Sequence, residues 1–216
     1  MEQQLIVEGN DAIPLANLCR KAGLKPPVGY EIPEKFKKDF VKNAGGFDKA
    51  IALFEQALKN ANINNIGLIV DANDAGYESR KQRILDIIAS EFGDEVIHSS
   101  NFSPVHQILT IGSLTVGFWI MPDNTRNGYL EHFLADMIPS DDPLWLHTKA
   151  TIADLAEAPF NELTAAKVGK AALHTWLAWK KEPGKPYGQA IEAGYLTVDP
   201  VALKPFLDWF SGTFRL

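Results

Sequence analysis

The chain has 216 residues, of which 46% are hydrophobic and 22% charged, and its formal net charge at pH 7 is −6. Twelve Phe and five Trp exclude a disordered chain, because they carry too much apolar surface to leave in water. The longest apolar runs, such as Thr115–Met121, are far shorter than the roughly 20 residues of a membrane span, and the acidic balance excludes a uniformly basic nucleic-acid binder.

The first two-thirds of the chain alternates strand-like apolar runs with helical patterns. The predicted strands are short and apolar, and turn residues or acids bound them: Gln3–Val7, Phe40–Lys42, Ile66–Val70, Val105–Ile111 and Thr115–Met121. The helices predicted between them are residues 12–23, with Asp11 as cap and Gly23 as stop, a helix opening at Phe47, and a helix around Ile84–Ile88. Gly112-Ser113 predicts a tight hairpin between the last two strands. This alternation predicts an α/β fold, with a mainly parallel, Rossmann-like sheet and helices on both faces.

After Pro139 the strand signals stop. Helices are predicted at Pro143–Ala158, Ala165–Lys181 and Pro200–Trp209. The chain is therefore expected to divide into an α/β domain at 1–140 and a helical extension at 141–216 packed on it. The contact between the two is predicted to use large aromatic side chains: Trp176, Trp179, Phe206, Trp209 and Phe210.

Acidic residues follow three of the predicted strands. Glu8 follows the first, Asp71 and Asp74 follow the third, and Asp123 follows the last. Neighbouring tips of a parallel sheet lie ~5 Å apart, where like charges repel by about 3–4 kcal/mol at an effective dielectric of 20. Such a cluster is expected to raise a pKa or to hold a cation. Oxygen ligands favour Mg²⁺, Mn²⁺ or Ca²⁺ over zinc.

The residues at the ends of the predicted strands also resemble those of a known domain. Val-Glu-Gly-Asn-Asp at residues 7–11, the Gly45-Gly46 turn that opens a helix, and Asp-Ala-Asn-Asp-Ala-Gly at residues 71–76 resemble a TOPRIM domain over roughly residues 3–124. Topoisomerases of types IA and II, bacterial primases, and nucleases of the OLD and ribonuclease M5 types share that module. Residues 117–124, 128–134 and 176–191 resemble a narrower bacterial TOPRIM-like family of unknown function, over nearly the whole chain.

The resemblance implies a role for each matched acid. Glu8 matches the general base or metal ligand, and Asp71 matches a Mg²⁺ ligand. The second acid of the Asp motif falls at Asn73, whose amide oxygen is a weaker, neutral ligand, and Asp74 is its acidic neighbour. The implied metal ligands are therefore Glu8, Asp71, Asn73 and Asp74, with Asp123 as a further candidate at its own strand end. Pro-Asp-Asn at 122–124 is also good turn chemistry.

Basic residues at helical spacing are candidates for phosphate binding. Lys167, Lys170 and His174 share one helical stripe. If that helix crosses the strand ends, Lys167 and Lys170 contact phosphate and join Glu8 and Asp71 as catalytic candidates. The alternative is a stripe that only faces solvent. Glu131, eight residues after Asp123, either reaches the same edge of the sheet or lies on its surface.

The single cysteine and the first residues of the chain indicate which cellular compartment to expect. The single cysteine, Cys19, allows neither an internal disulfide nor a Cys-based metal cage, and is expected in the core. The first four residues lack the positive end and apolar stretch of a signal peptide. The cytoplasm is the expected compartment, with no membrane partner.

Three functional hypotheses follow. The leading one is a Mg²⁺- or Mn²⁺-dependent nuclease that acts on phosphodiester bonds of DNA or RNA. The second is a non-catalytic module that binds nucleotide, nucleic acid or a partner protein, which Asn73 and the overall acidity favour. The third is one component of a defence system, with a partner ATPase on a separate chain, since this chain carries no P-loop motif.

Overall fold

The computed structural model describes residues 2–9, 12–24, 40–199 and 201–215. The predicted cap Asp11 and the predicted helix start Pro200 lie outside these residues. The described strands form one six-stranded sheet in the order β2-β1-β3-β6-β5-β4. They are β1 (Glu2–Val7), β2 (Val41–Asn43), β3 (Ile63–Asp71), β4 (Phe102–Ser103), β5 (Ile108–Ile111) and β6 (Leu114–Met121). The helices are α1 (Ala12–Lys21), α2 (Phe47–Leu58), α3 (Tyr77–Phe92), α4 (Leu130–Ala135), α5 (Pro143–Ala156), α6 (Val168–Ala178), α7 (Tyr187–Glu192) and α8 (Lys204–Phe214).

The sheet is mixed and mostly parallel. β1 pairs in parallel with β2 and β3, and β3 pairs in parallel with β6. β5 runs antiparallel to β6 and β4, and the β5–β6 hairpin turns at Gly112-Ser113 as predicted. The α/β class, the mainly parallel sheet and its flanking helices are therefore confirmed.

Alternation along the strands sends side chains to two hydrophobic cores. Ile6, Leu68 and Phe118 pack with α2 and α3 on one face of the sheet. Leu5 and Trp119 pack on the other face with α1 and with α4 to α8. Because successive side chains of a strand point to opposite faces, β1, β3 and β6 each contribute to both cores. The helices after residue 141 share a core with the sheet, and the predicted division at residue 140 stays a prediction.

Two paired glycines let α8 lie directly on the sheet. Gly67 of β3 stands opposite Gly117 of β6 in the register. A Cβ atom added to Gly117 would meet Thr213 Oγ1 at 2.0 Å, and one added to Gly67 would meet Phe214 Cζ at 2.6 Å. Because Gly67 and Gly117 have no side chains, they leave the space into which α8 packs.

Several predicted boundaries differ from the structure. The predicted strand at Val105–Ile111 is shortened to β5, because residues 104–107 form the turn that connects β4 to β5. The predicted helix at Ala165–Lys181 is a 3₁₀ turn at Ala165–Lys167 followed by α6. The last helix begins at Lys204 and continues to Phe214, five residues beyond its predicted end at Trp209. Short apolar segments carry too little periodicity to fix their ends or to predict α7.

The predicted aromatic contact is mostly confirmed. Trp176, Phe206, Trp209 and Phe210 are at most 1% exposed, whereas Trp179 is 42% exposed. The prediction for Trp179 is wrong because α6 ends at Ala178 and Trp179 is already its C-cap residue. Cys19 is buried as expected. Among the residues that the structure describes, no helix has the length and apolarity that crossing a membrane requires.

Candidate functional site

The order of the strands creates a crevice at one edge of the sheet. After β1 the chain continues into α1 on one face, and after β3 it continues into α3 on the other face. β1 and β3 are neighbours in the sheet, so the chain diverges between their carboxyl ends. Open α/β sheets bind ligands at such a point. Glu8 directly follows β1, and Asp71 is the last residue of β3.

Glu8 is held at this edge by both its backbone and its side chain. Its N–H donates to the Ile69 carbonyl at 3.0 Å, and its carbonyl accepts from the N–H groups of Gly45 and Gly46 at 2.8 and 2.9 Å. Gly45 and Gly46 have φ values of 75° and 133°, which favour glycine and explain the predicted Gly-Gly turn. The side chain turns toward β3, where Oε2 accepts from the Asp71 N–H at 3.0 Å.

The loop after β3 is folded against the segment that precedes α4. Asp71 Oδ1 accepts from the Leu130 N–H at 3.0 Å, and the Asn73 N–H donates to the Gly128 carbonyl at 3.1 Å. Asn73 has a left-handed φ of 50°, which Asn adopts more readily than most residues. Its side-chain amide donates to Glu8 Oε1 at 3.4 Å. Glu8, Asp71 and Asn73 are thus linked by direct contacts.

A cleft of about 580 Å³ opens beyond these residues. Asp71 and Asn73 line one part of it, and basic residues line another. The basic residues are Lys167, Lys170, His174 and Lys185. Lys167, Lys170 and His174 therefore lie in one cleft with Asp71, at the carboxyl end of the sheet. This is the position that a role in phosphate binding requires, and the three residues do not only face solvent. The phosphate-binding role of Lys167 and Lys170 stays a prediction.

Glu131 reaches the same cleft from the start of α4. Its side chain is 10% exposed, and its Oε1 lies 3.3 Å from Lys170 Nζ. The Tyr187 hydroxyl donates to the same oxygen at 3.2 Å and lies 2.9 Å from His174 Nε2. The ion pair and the hydrogen bond from Tyr187 offset the cost of burying this carboxylate.

Asp74 lies at the outer side of the loop. It is exposed and shares a hydrogen bond with the Tyr129 hydroxyl. Burial raises the pKa of Tyr129, and the carboxylates of Asp74, Asp71 and Glu131 raise it further. These carboxylates therefore produce a negative field around Tyr129, which lines the cleft.

Asp123 does not line this cleft. Its Oδ1 accepts from the N–H groups of Thr125 and Arg126 at 3.0 and 2.9 Å, and its Oδ2 pairs with the Arg126 guanidinium. Partial burial opposes ionisation, but these hydrogen bonds hold the pKa of Asp123 below its usual value. Asp123 lines a separate cavity of about 540 Å³ beside Trp119 and Phe206.

The turn after β6 explains this displacement. Asn124 has a φ of 61°, and both its N–H and its side-chain oxygen bond to the backbone of Ile120, at 2.9 and 2.6 Å. The Pro-Asp-Asn sequence at 122–124 therefore forms a tight turn, which was the alternative to a metal ligand at this position. The expected meeting of three strand-end acids is reduced to Glu8 and Asp71.

The donor set limits which cation this edge can hold. Within the described ranges, no group of three His, Cys, Asp or Glu side chains is arranged to hold a metal ion. Mg²⁺ is commonly bound by one or two carboxylates, with water and substrate phosphate completing its octahedron. Glu8 and Asp71 fit that partial set, and they do not form an all-protein cage. Whether Asn73, Asp74 or Asp123 is a metal ligand stays a prediction.

Comparison with known proteins places the whole chain in one family. Residues 2–215 match the family described as "Protein of unknown function (DUF3226)". The chain belongs to the DUF3226 family. No curated protein and no solved structure matches it. The cleft-lining residues Asp71, Lys167 and Lys170, and Glu8 beside Asp71, all lie within the matched residues of this DUF3226 chain.

Two residues of the DUF3226 cleft were not predicted as site residues from the sequence. Tyr187 opens α7, a helix of six residues that was not predicted, and its contact with Glu131 spans 56 positions. Lys185 lines the cleft and pairs with Glu182 at 2.8 Å. The Pro183-Gly184 pair nearby is typical of a turn, but a turn does not indicate which residues contact it.

Proposed function

We propose that this cleft is a TOPRIM-like site that cleaves nucleic-acid phosphodiester bonds with the help of Mg²⁺ or Mn²⁺. One observation carries the proposal: Asp71, whose backbone N–H donates to the Glu8 carboxylate, lines a single cleft with Lys167 and Lys170. A phosphodiester bound with a divalent cation presents both charges to the protein. It therefore needs carboxylates for the cation and ammonium groups for the phosphate oxygens.

The residues divide these tasks between them. Glu8 and Asp71 are the residues that hold the cation, which when bound neutralises charge on the phosphoryl and leaving oxygens. Lys167 and Lys170 bind the non-bridging phosphate oxygens. The amide of Asn73 contacts Glu8 and the Leu130 N–H contacts Asp71, so both carboxylates are oriented before substrate arrives. Lys167 has no ion-pair partner among the described residues.

Cleavage assays test the proposal directly. End-labelled single- and double-stranded DNA and RNA are incubated with the protein in Mg²⁺, in Mn²⁺ and in chelator. Glu8→Gln and Asp71→Asn keep the size of each side chain and are expected to lower the rate at least ~100-fold. Asp154→Asn, at an exposed acid of α5, is the matched control and is expected to cleave like wild type. Cleavage that persists in chelator, or in both variants, contradicts the proposal.

A second candidate is a module that binds the same ligands without cleaving them. Two observations favour it: both Glu8 carboxylate oxygens accept hydrogen bonds from the chain, and neutral Asn73 stands where the TOPRIM motif has an acid. Calorimetric titration with Mn²⁺ separates the candidates. Binding without turnover supports this one. Asn73→Asp adds a carboxylate in a conformation that Asp also tolerates, so it is expected to tighten Mn²⁺ binding. The control Asp154→Asn, at an exposed acid of α5, is expected to leave Mn²⁺ binding unchanged.

A further inference from the structure

Four polar side chains form a connected network in one part of the cleft. Lys170 and His174 come from α6, Glu131 from α4 and Tyr187 from α7, and all four line the cleft. Glu131 Oε1 is 3.3 Å from Lys170 Nζ and 3.2 Å from the Tyr187 hydroxyl. That hydroxyl is in turn 2.9 Å from His174 Nε2. The network ends at an exposed histidine that no role assigned so far explains.

Counting protons fixes the direction of these hydrogen bonds. An ionised carboxylate only accepts, so the single hydroxyl proton of Tyr187 is donated to Glu131. With that proton used, the 2.9 Å contact with His174 is a hydrogen bond only in the tautomer whose Nε2 carries a proton and donates to the hydroxyl oxygen. In the neutral ring Nδ1 is consequently the acceptor. The charge of Glu131 therefore acts on the imidazole through Tyr187.

The charges around His174 come from every wall of the cleft. Lys167 and Lys170 precede it along the same chain segment, Lys185 precedes α7, and Glu131 and Asp71 come from α4 and β3. Lys170 and Lys185 are each paired with a glutamate, Glu131 and Glu182 respectively. Pairing reduces the repulsion that these ammonium groups exert on a protonated imidazole.

We propose that His174 is the proton acceptor of the cleft and that Tyr187 and Glu131 position it. This inference rests on the proposed function. The water O–H bond breaks as its oxygen bonds to phosphorus, and the proton moves to His174 Nδ1. The bond from phosphorus to the leaving oxygen breaks, and that oxygen takes a proton from solvent water. His174 then returns its proton to solvent, so the net change is the addition of one water. The Nε2–H bond to Tyr187 keeps the ring orientation throughout.

Nitrogen NMR tests the positioning without any substrate. Two-bond ¹H–¹⁵N spectra of the full chain at neutral pH report which ring nitrogen carries the proton. For His174 we expect the proton on Nε2, slowed in exchange by its hydrogen bond, and we expect Tyr187→Phe to abolish that slow exchange. His147, an exposed histidine beside the Trp179 ring, is the internal control and should not change. A proton on Nδ1, or slow exchange that survives Tyr187→Phe, overturns the proposal.

Kinetics test the acceptor role on a nucleic-acid substrate that wild type cleaves. His174→Gln keeps an amide group within reach of Tyr187 but cannot take a proton, so kcat should fall about 100-fold or more with little change in KM. Tyr187→Phe should lower kcat by less, and His147→Gln should leave it unchanged. Unaltered kcat in His174→Gln overturns the acceptor role and leaves the proposed function standing. Absence of cleavage by wild type overturns the proposed function and this role together.

Discussion

The substitution Gly117→Ala tests how α8 is attached to the sheet. The added Cβ would lie 2.0 Å from Thr213 Oγ1 and 3.0 Å from both Thr213 Cγ2 and Trp209 Nε1. Rotating the Thr213 side chain gives little relief, because its methyl group also lies 3.0 Å from the added Cβ and χ1 of a β-branched residue is restricted in a helix. Thr213 is fully buried, so α8 itself has to move away from β6.

The size of the effect follows from these distances. Ordinary contact begins at 3.4 Å, so Cβ and Oγ1 must separate by about 1.4 Å. A shift of that size in a packed core belongs at the upper end of the overpacking cost, about 3 kcal/mol. Replacing glycine lowers the entropy of the unfolded chain and offsets about 0.4–1 kcal/mol. The net loss of unfolding free energy is about 2 kcal/mol, or a fall in Tm of about 4–8 °C.

A double-mutant cycle attributes that loss to the contact. Unfolding in urea is followed by circular dichroism for Gly117→Ala, Thr213→Ala and the double variant. Thr213→Ala removes both Thr213 atoms above Gly117, so the double variant should regain at least ~1 kcal/mol relative to Gly117→Ala. Gly112→Ala is the control: nothing lies within 4 Å of its added Cβ, so Thr213→Ala should not rescue it.

Two results would refute this reasoning. Gly117→Ala could be as stable as wild type, which would show that α8 does not lie against β6 in solution. The losses of the two single variants could instead add without rescue. Separate transitions for sheet and helices would further contradict the shared core of Leu5, Trp119 and the C-terminal aromatic residues.

Three further predictions concern individual side chains. Asp142 caps α5 by accepting from the Trp145 N–H at 2.6 Å; burial opposes its ionisation, but this bond and those from Trp176 and Lys180 lower its pKa. Asn also caps helices, so Asp142→Asn removes only the negative charge at the helix N-terminus and beside Lys180. It should cost about 0.3–1 kcal/mol at pH 7, and the cost should fade below about pH 4 as the wild-type carboxyl protonates, which urea titrations at pH 7 and pH 3 measure. Burial raises the pKa of Cys19, so a thiol reagent such as DTNB should label it only after unfolding; fast native labelling would contradict this. Arg126 pairs with Asp123 and Asp136 but is 54% exposed, so Arg126→Ala should change the unfolding free energy by less than about 1 kcal/mol, and a larger loss would show that the loop depends on it.

Part of the candidate site could be predicted because local patterns show where a strand ends and which residue follows it. An apolar strand followed by an acid predicts a carboxylate at a sheet edge, and alternation with helices predicts that β1 and β3 share that edge. Glu8 and Asp71 are accordingly in contact. The same argument placed Asp123 beside them, and it did not foresee the tight turn at Asn124 that redirects Asp123 to Arg126.

The sequence by itself determined the α/β class, the hairpin and the acids at the strand ends, because periodicity and turn chemistry act over a few neighbouring residues. Only the tertiary structure decided that α6 and α7 bring Lys170, His174 and Tyr187 into one cleft with Asp71. Glu131 and Tyr187 meet across 56 positions. Such a contact depends on how whole helices pack against the sheet, and that packing depends on shape complementarity summed over two cores rather than on any local pattern.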